Sequence, residues 1–303
     1  MAFFTGLAAY QITPADRDGV VDVVALRRLV RRLADAKVDA IGLLGSTGTY
    51  PYLTRAERRR AIEAATQEAG GALPIMAGVG ALRTDAAVAL AKDAKAAGAH
   101  AGLLAPVSYT PLTETEVFVH FQTVAVESGL PICIYNNPAT THFTFSPELE
   151  GRLSELPGVV AVKNGAPATG VATHLADLRA RTPAGFSLGY AADAHAAEAM
   201  IAGADVWHSV LAGVLPEPVL AVTRAAQRGD AAEARRLNAA LTPLWKLFAE
   251  LSGLRVAYAL ANALQLVRTA PPRPVLPLAP ADEARVAEAL RGLGAMAASM
   301  NPA

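Results

Sequence analysis

The chain has 303 residues, 52% of them hydrophobic, and its 27 basic side chains match its 27 acidic ones. With no long run of either sign there is no electrostatic footprint for nucleic acid or an anionic membrane, and no apolar segment approaches the roughly 20 residues that span a bilayer. The lone Cys133 excludes an internal disulfide, and together with a first segment, Met1 to Gly6, that lacks the features of a secretory signal, it predicts a cytoplasmic protein.

Along the chain, short apolar runs alternate with amphipathic stretches of regular length, the pattern of βα units around a parallel sheet. The predicted strands are Gly6 to Ile12, Ala40 to Gly45, Pro74 to Gly80, Ala101 to Pro106, Pro131 to Asn137, Val159 to Gly165, Phe186 to Tyr190 and Asp205 to Val210. All are apolar on both faces, as strands held between a packed interior and covering helices must be. Thr54-Arg55-Ala56-Glu57, Thr84-Asp85, Thr113-Glu114-Thr115-Glu116 and Ser146-Pro147-Glu148 predict helix starts, with a capping hydroxyl and acidic residues in the first turn. After the eighth unit the pattern is helical only: Asp230 to Leu251, Leu254 to Val267 and, past the proline-rich Pro271 to Pro274, Ala281 to Ala298. The expected fold is α/β: a (β/α)8 TIM barrel over residues 1–229 with a C-terminal helical extension over 230–303. The extension's apolar faces would pack under the barrel or meet another subunit.

Such barrels place their active sites at the C-terminal ends of the strands, so the polar residues that close each strand carry the functional reading. Gly45-Ser46-Thr47-Gly48-Thr49 closes the second strand, Pro106-Val107-Ser108-Tyr109 the fourth, Tyr135 the fifth, Lys163 the sixth and Trp207-His208-Ser209 the eighth. Lys163 stands alone in an otherwise apolar run, and lysine is among the residues least often buried. Burial favours the uncharged amine, the form that attacks a carbonyl to give a Schiff base. The plainer alternative is an ammonium that snorkels to the rim and pairs with a carboxylate. A glycine-flanked Ser46-Thr47 pair offers hydroxyls and backbone N–H groups to the carboxylate of a 2-oxo acid, although many such segments are only turns. His100, His120, His142, His174 and His195 show no metal-ligand spacing, and no metal is expected.

At this point the chain resembles the dihydrodipicolinate synthase and N-acetylneuraminate lyase family of pyruvate-dependent class I aldolases. The resemblance runs from Gly6 to the C-terminal helices and rests on the order and spacing of Thr13-Pro14, Gly45-Ser46-Thr47-Gly48 with Leu53-Thr54, Gly78-Val79-Gly80, Tyr135-Asn136-Asn137-Pro138 and Val162-Lys163. It implies that Lys163 forms the Schiff base with pyruvate, that Tyr135 is the acid/base, and that Ser46 and Thr47 hold the pyruvate carboxylate. The covalent imine on Lys163 then takes the place of any cofactor. The same resemblance implies a homotetramer built from dimers, with Tyr109 the candidate to complete a neighbouring subunit's site.

The sequence also departs from the family pattern. The glycine-rich motif is followed by Thr49 where the family usually has Glu, and Thr140 occupies the position at which the synthases carry an arginine for the carboxylate of aspartate semialdehyde. The synthases' second relay tyrosine aligns with Ser108, with Tyr109 one residue later. His208 replaces an aliphatic residue, either to serve as an acid/base or hydrogen-bond donor to substrate, or turned outward between strand and helix. These departures favour an aldolase or lyase acting on a 4-hydroxy-2-oxo acid, with pyruvate and an aldehyde as its small-molecule partners. The runner-up readings are dihydrodipicolinate synthase and a keto-deoxy sugar acid dehydratase. A non-catalytic 2-oxo acid binder is the alternative from another class.

Overall fold

The structure is a computed structural model, and the described residues are 3–300. Eight parallel strands close into a barrel in sequence order: β1 Gly6–Tyr10, β2 Ala40–Leu43, β3 Ile75–Gly78, β4 Ala101–Leu104, β5 Ile132–Tyr135, β6 Val159–Gly165, β7 Ser187–Ala191 and β8 Val206–Ser209. β1 pairs with both β2 and β8, so no edge remains. Every predicted strand is present. Most are shorter by a residue or two at one or both ends, because rim residues such as Ile12, Val79 and Ala105 are buried without belonging to the ladder.

Alternation sorts the strand side chains into two cores. Ala8, Tyr10, Met76, Leu103, Cys133, Tyr135, Ala161 and Val206 belong to a small interior cluster. Leu7, Ala9, Ile41, Ile134, Val162 and Leu188 join the larger layer between strands and helices. Small residues dominate the interior, which makes room there for a few large polar ones.

Three of the four expected helix starts carry the predicted cap. Thr54 accepts from the Glu57 backbone, Ser146 from Leu149, and Thr113 forms a reciprocal capping box with Glu116. Thr84 does not cap: it is the first helical residue of Thr84–Ala96, and its hydroxyl meets His120 Nδ1 at 2.9 Å on the next helix. The predicted helix Asp230 to Leu251 is two helices, Ala231–Ala240 and Thr242–Leu251, with Pro243 in the first turn of the second. Leu254 to Val267 is Gly253–Ala263, and the last predicted helix lies within Pro280–Met300. Leu241, Leu244, Trp245, Val256 and Leu260 from these appended helices enter the same apolar layer as the barrel helices. Tyr258 reaches back to the Thr13 carbonyl at 3.4 Å, beside the end of β1. Among the described residues no helix is long and apolar enough to cross a membrane.

Candidate active site

β5 and β6 place two side chains together at the barrel mouth. Tyr135 and Lys163 are register partners, and the Asn136 N–H donates to the Lys163 carbonyl at 3.1 Å, so their separation is set by the ladder. Lys163 is 4% exposed. Its Nζ lies 3.8 Å from the centroid of the Tyr10 ring and 4.3 Å from that of Tyr135. Among the described residues no carboxylate pairs with it, which overturns the alternative of a rim ammonium held in an ion pair. Two ring faces, not a counter-ion, surround the nitrogen.

The Tyr135 hydroxyl is wired on the other side. Asn137 Nδ2 donates to it at 2.9 Å, and Ser46 Oγ lies 3.2 Å away. With the asparagine as fixed donor, the phenol proton is free to point at Ser46, forming a short hydroxyl chain from the second strand's loop to the fifth strand's end. Thr47 is buried beside Ser46. The backbone of this loop is unusual: Leu44 and Thr49 both have φ 55°, in the left-handed region. A Cβ on Gly78 would lie 1.7 Å from the Leu44 carbonyl oxygen, so only glycine permits that turn.

Beneath Lys163 lies a pair that sequence reading only half found. His208 faces the barrel interior, 1% exposed, while its neighbour Trp207 points outward and donates to Asp193 Oδ1 at 2.8 Å. The outward alternative for His208 is thereby corrected: it is one register position off the outward set. Its Nδ1 lies 3.2 Å from the Tyr10 hydroxyl, which also meets Met76 Sδ at 3.3 Å. His208 Nε2 has no partner among the described residues. Burial, and then the nearby Lys163 charge, hold this imidazole well below its usual range, so it is neutral. Gly42 and Gly189 make the space, since a Cβ on the first would lie 2.4 Å from the Tyr10 ring and on the second 2.2 Å from His208 Nε2. The predicted first strand closes at Ile12, whereas β1 ends at Tyr10, so Tyr10 is not among the predicted strand-closing residues.

Other expected residues do not converge. The Thr140 hydroxyl is turned to the Asn137 carbonyl at 3.2 Å within the short helix Pro138–Thr141, and is exposed. Ser108 donates to the carbonyl of Thr110 in its own loop, while the Tyr135 hydroxyl is bonded to Asn137 and Ser46. Tyr109 is 97% exposed. The buried Cys133 thiol, on the interior face below Tyr135, is pushed up to about 12 by burial despite the opposing pull of Lys163, as befits a core residue.

Comparison with known proteins agrees with this geometry. Residues 3–293 match the model of the dihydrodipicolinate synthetase family. A 4-hydroxy-tetrahydrodipicolinate synthase of Thiobacillus denitrificans is 38% identical over 270 residues, 89% of each chain. The crystal structure of a dihydrodipicolinate synthase from Agrobacterium tumefaciens superimposes with a TM-score of 0.94 at 55% identity, covering 96% of this chain and 98% of that one. A chloride-inhibited dihydrodipicolinate synthase from Acinetobacter baumannii, solved with pyruvate, gives a TM-score of 0.88 at 29% identity, covering 96% and 99%. The chain therefore belongs to the dihydrodipicolinate synthetase family, and is a lyase of the Schiff-base lysine class.

Proposed function

We propose that the chain joins pyruvate to an aldehyde through an imine on Lys163, as a synthase of the kind its relatives are named for. The observation that carries this is Lys163 itself, buried between the Tyr10 and Tyr135 rings with no carboxylate partner among the described residues. The names of the relatives weigh toward condensation, the runner-up among the sequence readings, over cleavage of a 4-hydroxy-2-oxo acid.

The Lys163 amine attacks the pyruvate ketone, and loss of water leaves an iminium cation whose charge sits over two aromatic faces. Removal of a methyl proton gives the enamine, whose carbon adds to the aldehyde; the new alkoxide takes a proton through Tyr135, and hydrolysis frees Lys163. Asn137 and Ser46 hold the Tyr135 hydroxyl in line for this transfer. Ser46, Thr47 and the N–H groups of their turn receive the pyruvate carboxylate. His208 and Tyr10 form the floor on which the imine is built. No cofactor enters these steps. Tyr109, exposed at 97%, fits a homo-oligomer in which it inserts into the neighbouring site.

One observation keeps a second reading in play. With Thr140 in place of a guanidinium, and its hydroxyl bound to its own backbone, the loop after Tyr135 has no bidentate contact for a second carboxylate. An aldehyde without that carboxylate, or cleavage of the corresponding 4-hydroxy-2-oxo acid, suits the site equally. Borohydride reduction with pyruvate, followed by peptide mass spectrometry, tests the chemistry: a pyruvyl adduct on Lys163, absent in Lys163→Ala, is expected. No adduct in the folded protein would leave a binding protein. Turnover of pyruvate with aspartate semialdehyde against uncharged aldehydes then separates the two substrate classes.

A further inference from the structure

On the outer face of β5 and β6, the residues that directly follow Tyr135 and Lys163 are joined by a buried carboxylate. Asn136 Nδ2 donates to Glu150 Oε1 at 2.9 Å, Asn164 Nδ2 donates to Glu150 Oε2 at 3.2 Å, and Asn136 Nδ2 also donates to Asn164 Oδ1 at 2.9 Å. Glu150 is 4% exposed and Asn164 2%. Glu150 comes from the helix Pro147–Ser154, which lies against β6. One oxygen of a single carboxylate thus takes the amide that follows β5, and the other takes the amide at the end of β6.

We propose that Glu150 is a positioning residue: its ionised carboxylate straps the ends of β5 and β6 together and so fixes Tyr135 relative to Lys163. This rests on the imine chemistry proposed above. The geometry calls for an acceptor on both sides. A protonated Glu150, or a glutamine, would aim an O–H or N–H at one of the two amide N–H groups. Turning the Asn136 amide over does not help, because its oxygen would then face Asn164 Oδ1. Asn136 Oδ1 meanwhile has no partner of its own among the described residues, as expected if the amide is oriented by its two acceptors.

Burial opposes the charge. It raises the Glu150 carboxyl from 4.5 to about 7, against the downward pull of the Asn164 and Asn136 bonds, so the strap changes state around neutrality. The neighbouring groups are few. From β7, Tyr190 feels the Glu150 charge, and its hydroxyl is bonded to His174 Nδ1 of the helix Val171–Arg181 at 2.7 Å. Arg179 of that helix acts on Tyr190 and pairs with Asp205. On the helix Glu114–Ser128, Phe118 lies under Arg152, itself on the Glu150 helix. Lys163 points to the opposite face of the sheet.

The test compares kcat and the pyruvate KM of the wild type and Glu150→Gln between pH 5.5 and 8.5, together with borohydride trapping of pyruvate. A misplacement of the reacting groups is expected to lower kcat by about tenfold to a hundredfold, with the pyruvate KM little changed. The wild-type kcat should fall toward acid around neutrality, and Glu150→Gln should lack that limb. A variant with wild-type kcat, or one that keeps the acid limb, overturns the positioning role while a Lys163 adduct in both proteins leaves the imine reading intact. No adduct in the wild type overturns both. If Glu150→Gln does not fold, Asn164→Ala, which keeps the carboxylate and removes the donor to its Oε2, should show the same selective loss of kcat, and unchanged kcat there overturns the proposal.

Discussion

Tyr10 does for Lys163 what a carboxylate commonly does for a buried ammonium, but through a ring face instead of a charge. A cation over an aromatic face in a desolvated site gains about 1 to 2 kcal/mol, enough to favour an iminium several-fold without locking the lysine into a permanent ion pair. The ring and the hydroxyl of Tyr10 have separable jobs, since the hydroxyl is engaged with His208 and Met76 on the far side. Tyr10→Phe is therefore expected to keep imine formation near the wild-type level, whereas Tyr10→Leu should lower the fraction trapped by borohydride about fivefold to thirtyfold. Equal trapping in Tyr10→Leu and the wild type, with circular dichroism showing both folded, would remove the ring from the chemistry. At the same scale Tyr109→Phe probes the neighbouring-subunit role. Turnover should fall far more than pyruvate binding, and unchanged turnover would take Tyr109 out of the mechanism.

The elements themselves follow local rules closely enough that their energetics can be stated. The Thr113–Glu116 box satisfies two backbone donors at the start of the helix Glu114–Ser128, with Thr113 Oγ1 accepting from Glu116 N at 3.3 Å and Glu116 Oε2 accepting from Thr113 N at 2.7 Å. Thr113→Ala should cost about 1 kcal/mol, measurable as a lowered urea midpoint with unchanged kcat. Such caps and the apolar strand runs are what made the barrel legible: each depends on residues within a few positions of one another. The misreadings have separate causes. Thr84 has the composition of a cap, but its hydroxyl is taken by His120 on another helix, a contact between residues 36 apart. The break before Pro243 is absent from the periodicity but readable from the proline itself, which breaks a helix interior and is tolerated in a first turn. In the site, Lys163, Tyr135 and Ser46 were readable because strand ends converge in any barrel of this class. His208 was readable as a strand-closing residue, but its partnership with Tyr10, and that of Glu150 with Asn164, were not, since pairing between residues 198 and 14 positions apart leaves no local pattern.

For the molecule as a whole, Glu150 sets a conflict between stability and the proposed strap, and the conflict has a definite sign. Its carboxyl is raised from 4.5 in the unfolded chain to about 7 in the folded one, so the fold prefers the protonated form. The resulting stabilisation is fully present below pH 4.5 and is lost as pH rises through about 7. The gap of roughly 2.5 units corresponds to about 3 kcal/mol. The histidines act in the opposite direction. Burial lowers His120, His174 and, further, His208, so each favours the fold above the unfolded histidine value of 6.5 and withdraws that support as pH falls through its lowered folded value. A wild-type melting curve alone mixes these effects, but the difference between wild type and Glu150→Gln cancels the histidines and leaves the carboxylate. That difference in Tm is expected to shift against the wild type by on the order of 5 °C between pH 4.5 and pH 8. A difference that stays flat across this range would mean that Glu150 is ionised throughout, and that the strap does not respond to pH. If it shifts as expected, the chain keeps a carboxylate that weakens its own fold in the range where the strap is charged, and the reason lies in the two strand ends it holds.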